Sequence, residues 1–172
     1  MARSVCDELR WRGLLHQTTA DDALTEWLSS GMRTAYCGWD PTADSLTIGN
    51  LVPIMLLGHW QRCGHRPIVL CGGGTGLIGD PSGKDAERTL LTRDQVEANI
   101  QAQQKIFSRV ITFDAGEPND AMLVNNADWL CDLHYLDVLR DIGKHFSVNA
   151  MIQKDSVRER LHHREQGISY TE

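Results

Sequence analysis

The sequence predicts an α/β fold in which a parallel sheet carries helices on its faces, and three observations support that prediction. Thr34 to Trp39 and Ile68 to Cys71 are short, β-favouring and uncharged, the composition of strands buried in a parallel sheet. A tight polar turn follows the first of them and opens into a helix-like apolar spacing, giving the order strand, turn, helix. The length of 172 residues fits one domain, which would bury roughly 68 to 70% of the unfolded chain's surface.

Ser4 to Arg12 mixes charges with Val5, Leu9 and Trp11 and reads as an amphipathic helix stopped by Gly13. Thr19, Asp21 and Asp22 offer an N-cap and an acidic first turn for a second helix, Ala23 to Ser30, ended by Gly31. Both read as scaffold. The strand Thr34 to Trp39 is halted by Asp40, Pro41 and Thr42. Asp44 and Ser45 are N-cap types, and from Leu46 the spacing through Ile48, Leu51, Val52, Met55 and Leu56 predicts a helix to Arg62.

Gly64 closes that helix, and Arg66-Pro67 leads into the second strand, Ile68 to Cys71. Gly72 to Lys84 then reads as a side-chain-poor loop carrying Thr75, Asp80, Lys84 and Arg88. Gly74, Gly76 and Gly79 spell GxGxxG, but a dinucleotide fingerprint must open a helix at once, and Asp80-Pro81-Ser82-Gly83 predicts a turn. It is not a P-loop either: Ile78 stands where that motif needs glycine, and Asp85 where it needs Ser or Thr.

Thr92 and Gln95 form a capping box for a packing helix with Val96, Ile100, Ile106 and Phe107 on one side. A loop from Ala115 to Asp120 precedes a third strand, Ala121 to Asn126, whose end presents Asn125 and Asn126; asparagines there suit either a ligand cleft or a turn. Helical patterns return over Leu133 to Ile142, stopped by Gly143, and over Met151 to His163. Arg140, Lys144, Lys154, Arg158 and Arg160 suit a phosphate-binding surface or a charge-laced solvated helix; His162 and His163 read as surface residues.

A net charge of -6 argues against a wholesale basic face, while leaving room for a local one. Five cysteines, odd in number and without CxxC spacing, suggest neither a disulfide framework nor a zinc site. No apolar run of about 18 residues predicts a membrane span, and no leader pattern opens the chain. The expectation is a soluble chain in a reducing compartment: the cytoplasm, with an organellar matrix or plastid left open.

A strand-turn-helix unit leaves free backbone N–H groups and the positive end of a helix dipole at the carboxyl end of a strand. An anion such as a phosphate is suited to that place. Thr42, Thr47 and Asn50 would add side-chain donors, and Gly49 would let a ring or ribose approach the backbone. An N-capped core helix without a ligand fits the same composition.

The runs YCGWDPTADSL, GHRPIVLCGGGTGLIGDPSGK, LRDIGKHFSVNAMIQKDSV and GISYTE together resemble, in order, bacterial and organellar tyrosyl-tRNA synthetase, a class I aminoacyl-tRNA synthetase. The resemblance covers almost the whole chain. It implies a Rossmann-like domain, of which this chain would be the first half, ending where the family continues. The 133–163 stretch would be a helical insertion that serves a homodimer interface and contacts the acceptor arm of tRNA.

The activity implied is tyrosine activation with ATP to tyrosyl-adenylate, with Mg2+ accompanying ATP, and transfer to tRNA. The resemblance places Tyr36 at the tyrosine hydroxyl, Thr75 and Asp80 at its ammonium group, and Asn125 and Asn126 near the same cleft. Cys37, Gly38, Asp40, Gly49 and Asn50 would line the ATP and adenylate site. Thr42 and Thr47 would face the γ-phosphate, with Lys84 and Arg88 at the leaving pyrophosphate.

The family's signature at residues 47–50 is His-Ile-Gly-His, whereas this chain has Thr47, Ile48, Gly49 and Asn50. The loss of an imidazole predicts weakened activation, and the length predicts that these 172 residues alone do not turn over. A non-catalytic paralogue or fragment binding tyrosine, RNA or a partner chain is the alternative. A nicotinamide-binding protein, resting on GxGxxG alone, is the third.

Overall fold

A computed structural model describes residues 4–78, 91–155, 157, 158 and 161. Three parallel strands, β1 (Thr34–Trp39), β2 (Arg66–Cys71) and β3 (Met122–Asn125), lie in the order β1-β2-β3. Helices α1 (Val5–Trp11) and α2 (Asp21–Ser29) precede the sheet. The crossover from β1 to β2 is α3 (Ile48–Arg62), and β2 reaches β3 through α4 (Gly73–Ile78) and α5 (Arg93–Phe107). The α/β class and all three strands match the sequence expectation.

Register fixes what meets what. Tyr36 pairs with Ile68 and Trp39 with Cys71, while Cys71 pairs with Asn125. The residues that follow each strand, Asp40, Gly72 and Asn126, therefore form one rim at the carboxyl ends of the sheet.

The main core lies under β1 and β2: Trp39, Ile54, Leu57, Val69, Phe107, Ile111 and Ala121 cluster there, with the Trp39 and Phe107 rings 5.0 Å apart between centroids. A second cluster, Val5, Cys6, Leu9, Leu28 and Trp60, seats α1 and α2 on α3. Helix α3 is thus buried on two sides, and Gly58 lets it approach Val110, whose Cγ1 would lie 2.9 Å from a Cβ added there. Gln61 fastens the far end: its Nε2 donates to Thr112 O at 2.7 Å, and its Oε1 accepts from Thr112 N at 2.8 Å.

Four local expectations are corrected. Strand β1 is not buried on both faces: Thr34, Tyr36 and Gly38 are exposed, on the face opposite the one that Ala35, Cys37 and Trp39 turn to the core. Helix α3 starts at Ile48, with Thr47 rather than Asp44 or Ser45 in the N-cap position. Helix α2 begins at Asp21, two residues early, with Ala20 before it and no side-chain cap.

The fourth correction concerns residues 127–158. Instead of one regular helix over Leu133 to Ile142, short pieces follow one another: α6 (Ala127–Leu130), α7 (Tyr135–Asp137), a π turn (Val138–Ile142), a 3-10 turn (Gly143–His145) and α8 (Val148–Ile152). The helix expected over Met151 to His163 is interrupted at Gln153 and Lys154, with Asp155, Val157, Arg158 and Leu161 helical among its described residues. No residue of these five pieces is fully buried, and Tyr135, Leu136, Phe146 and Val148 are each more than 60% exposed. With so little packing behind it, amphipathic patterning alone did not fix one long helix.

Candidate functional site

The glycine-rich stretch after β2 is helical in its first part, not a loop. Helix α4 opens at Gly73, with Gly72 alone between it and the strand's end at Cys71. A helix thus does follow the strand, while the Asp80-Pro81-Ser82-Gly83 turn that argues against GxGxxG lies outside the described residues. The fingerprint's chemistry is nevertheless unavailable, because the N–H groups that would meet a pyrophosphate are taken. Gly73 N donates to Asn125 Oδ1 at 3.1 Å and Gly74 N to Asn126 Oδ1 at 2.7 Å.

These two carboxamides tie the third strand to the second rim. Asn125 Oδ1 also accepts from Ala127 N at 3.0 Å, and Asn126 Nδ2 donates to Thr75 Oγ1 at 3.2 Å. Thr75 Oγ1 lies 2.7 Å from Asp40 Oδ1 and 3.2 Å from Gly72 O, so its single proton goes to the nearer carboxylate of β1's rim. Gly72 is required beneath them. A Cβ there would fall on Asp40 Oδ1 and sit 2.6 Å from Thr75 Oγ1.

The result is a continuous polar rim, Asp40, Thr75, Asn126, running across all three strand ends. Having given its proton to Asp40 and accepted one from Asn126, the Thr75 oxygen keeps one lone pair, the arrangement that receives a cationic N–H. Tyr36 is 70% exposed and shares with Gly38 one face of β1. Ala35 and Cys37 lie on the other face against the core, where burial pushes the Cys37 thiol up and keeps it protonated.

The turn after β1 is held from a side that sequence reasoning missed. Asn99 Nδ2 donates to Pro41 O at 2.9 Å, and Gln103 Nε2 donates to Ala43 O at 2.9 Å. Both come from α5, expected only to pack. The available signal was a glutamine on the buried face with Val96, Ile100 and Phe107; Gln103 is 1% exposed. Thr42 is exposed at this turn, its N–H donating to Asp40 O at 2.9 Å.

At the start of α3, Asn50 Oδ1 accepts from Thr47 N at 2.9 Å and from Thr47 Oγ1 at 2.8 Å. Ile48 and Gly49, between them, are exposed. Asp80, Lys84 and Arg88 lie outside the described residues, as do Arg160, His162 and His163. Of the basic residues considered for phosphate, Arg140 is paired with Asp137 and Asp141, and Arg158 with Asp155, which favours the solvated, charge-laced surface for those two. Among the described residues, no group of three or more His, Cys, Asp or Glu is placed to hold a metal ion, and no helix is long and apolar enough to cross a membrane.

Residues 30–172 match the family described as tRNA synthetases class I (W and Y). The chain is 53% identical over 169 residues to the tyrosine–tRNA ligase of Opitutus terrae, covering 98% of this chain and 39% of that protein. It is 51% identical over 172 residues to that of Staphylococcus epidermidis, covering 100% and 40%. The solved structure of a C-terminally truncated mitochondrial tyrosyl-tRNA synthetase from Aspergillus nidulans is similar with a TM-score of 0.79 at 28% identity, over 98% of this chain and 50% of that one. The tyrosyl-tRNA synthetase of Archaeoglobus fulgidus, solved with L-tyrosine, shares the fold at a TM-score of 0.63 and 16% identity, over 97% and 48%. The chain spans about two fifths of the length of these curated relatives.

Proposed function

The chain belongs to the class I tRNA synthetases of the tryptophan and tyrosine group, and on that premise we propose that it forms the first half of a tyrosine-activating site. The reaction is attack of the tyrosine carboxylate on the α-phosphate of ATP, giving tyrosyl-adenylate and pyrophosphate, followed by transfer of the tyrosyl group to tRNA. No protein base is needed for the first step. The protein holds the reactants in line and stabilises the charge that develops.

One observation carries the reading: Thr75, fixed between Asp40 and Asn126, offers its remaining lone pair on the rim of the sheet that bears the exposed Tyr36. Thr75, with Asp80, receives the ammonium group of tyrosine, and Tyr36 meets its hydroxyl. A site that hydrogen-bonds a phenol disfavours phenylalanine, which offers Tyr36 no partner. Asn125 and Asn126 belong to this wall.

Asp40, Gly38, Gly49 and Asn50 take the ribose and adenylate side, with Thr42 and the start of α3 toward the phosphates; Cys37, expected there, packs against the core on the other face of β1. Lys84 and Arg88 complete the pyrophosphate site, and Mg2+ enters with ATP as part of the substrate. Tyr135, Leu136, Phe146 and Val148, in the 133–163 stretch, are exposed side chains for a second copy to cover, in accord with a homodimer. The compartment proposed is the cytoplasm.

Calorimetric titration tests the amino-acid assignment: tyrosine binds, with phenylalanine and tryptophan at least tenfold weaker. Selective binding of tryptophan would overturn it. Tyrosine-dependent ATP–pyrophosphate exchange is expected from a protein that continues this chain with the segment its relatives carry, and not from the 172 residues alone.

Thr47, where the family's signature has histidine, favours a second reading, a chain that binds tyrosine, RNA or a partner without catalysis. Replacing Thr47→His in the extended protein separates the two. A large gain in exchange rate supports a weakened enzyme, and no exchange in either form supports the binding protein.

A further inference from the structure

The pair Thr47 and Asn50 has a hydrogen-bond arithmetic that fixes what each can offer a ligand. Asn50 Oδ1 receives both donors of Thr47, the backbone N–H at 2.9 Å and the hydroxyl at 2.8 Å. A carboxamide oxygen has two lone pairs, so Asn50 is left without an acceptor, and its two Nδ2 protons are given to no described residue. Thr47 is left without a donor. Its hydroxyl has one proton, already given, and a phosphate oxygen, itself only an acceptor, gains no hydrogen bond from the lone pairs that remain.

We propose that Thr47 is a positioning residue, which orients Asn50 as a pure donor toward the adenosine part of ATP, and that it does not itself bind the γ-phosphate. This rests on the reading above that the start of α3 faces ATP. It replaces the role expected of Thr47 from the sequence and gives the two departures from the signature one shared explanation. The hydroxyl at 47 and the carboxamide at 50 act as a unit, so neither substitution is understood without the other.

Adenosine and ATP, titrated separately into the protein, distinguish the two roles. Thr47→Val removes the hydroxyl bond and leaves the Asn50 carboxamide held by the backbone N–H alone, and is expected to weaken adenosine and ATP by the same factor, on the order of five- to tenfold for one hydrogen bond less firmly oriented. Thr47→Ser, which keeps the hydroxyl, restores both. In an Asn50→Ala background, Thr47→Val has no further effect on adenosine, because both chains of that comparison have already lost the carboxamide.

Weakening of ATP with adenosine unchanged would show a direct phosphate contact and overturn the proposal, as would equal binding by Thr47→Val and the unaltered chain. Failure of the unaltered protein to bind either nucleotide would instead overturn the functional reading, and the proposal with it.

Discussion

Thr75 Oγ1 stands 2.7 Å from Oδ1 of Asp40, joining residues 35 apart in sequence across the ends of two neighbouring strands. The bond orients the hydroxyl, so that its lone pair rather than its proton faces the site. Thr75→Val is expected to raise the tyrosine dissociation constant about 10- to 100-fold, the size of a hydrogen bond to a charged group at about 1.5–3 kcal/mol. Thr75→Ser keeps binding within a few-fold. Calorimetry on the two variants checks this, and equal binding by the valine variant would remove Thr75 from the site.

Gly72 makes that approach possible. In Gly72→Ala the new methyl would fall on the Asp40 carboxylate, and either the backbone or the carboxylate must shift. Forcing a methyl into such a site costs about 1–3 kcal/mol. A lower thermal midpoint together with loss of tyrosine binding is the expected result.

Asn125 works through its oxygen alone, accepting from Gly73 N and Ala127 N. Asn125→Asp preserves that acceptor and should retain stability and tyrosine binding, whereas Asn125→Ala strands two N–H groups at about 1–3 kcal/mol each where they are buried. Amide exchange at Gly73 and Ala127 reports the difference directly. If aspartate fails as badly as alanine, the amide protons of Asn125 matter, and a direct ligand contact is the better description.

The turn at 41–43 hangs from α5. Asn99→Leu and Gln103→Leu each free one backbone carbonyl, Pro41 O and Ala43 O. Each is expected to lower stability by about 1–2 kcal/mol, and the double variant by less than the sum, because both bonds hold one turn. Urea unfolding midpoints of the four proteins provide the cycle.

His65 sets a pH dependence. Its Nδ1 accepts from Arg33 N at 3.1 Å, and burial, with the Arg33 charge beside it, holds its pKa below the ordinary 6.5. The unfolded chain therefore binds more protons below pH 6.5, so the contribution of His65 is fully present above that value and is lost as pH falls below it. His59, depressed by burial and by Arg62 and Arg12, acts in the same direction. Thermal midpoints should fall between pH 7 and pH 5, and His65→Asn, whose oxygen replaces Nδ1 as acceptor, should shrink that slope.

Several elements were legible in the residues because their causes are local. Strand β1 was read at its observed ends, Thr34 and Trp39, from six uncharged residues bounded by turn formers. The start of α5 was read from Thr92 and Gln95, which do cap it reciprocally. Family membership was legible for a different reason: long ordered runs of residues repeat those of the tyrosyl-tRNA synthetases.

The ends of the sheet were not legible. That Gly73 begins a helix depends on Asn125, 52 residues away, whose oxygen supplies the partner that a glycine run lacks. The hold of Asn99 and Gln103 on the turn after β1 likewise needs α5 to lie beneath that turn. Sequence alone determined the three strands and the helices α1, α2, α3 and α5, because propensity, capping and pattern act between near neighbours, and it determined the family, because long ordered runs of residues carry it. Only the tertiary structure decided which polar atoms are spent on one another and which remain for a ligand, because strand register, and not sequence distance, brings Asp40, Thr75 and Asn126 together.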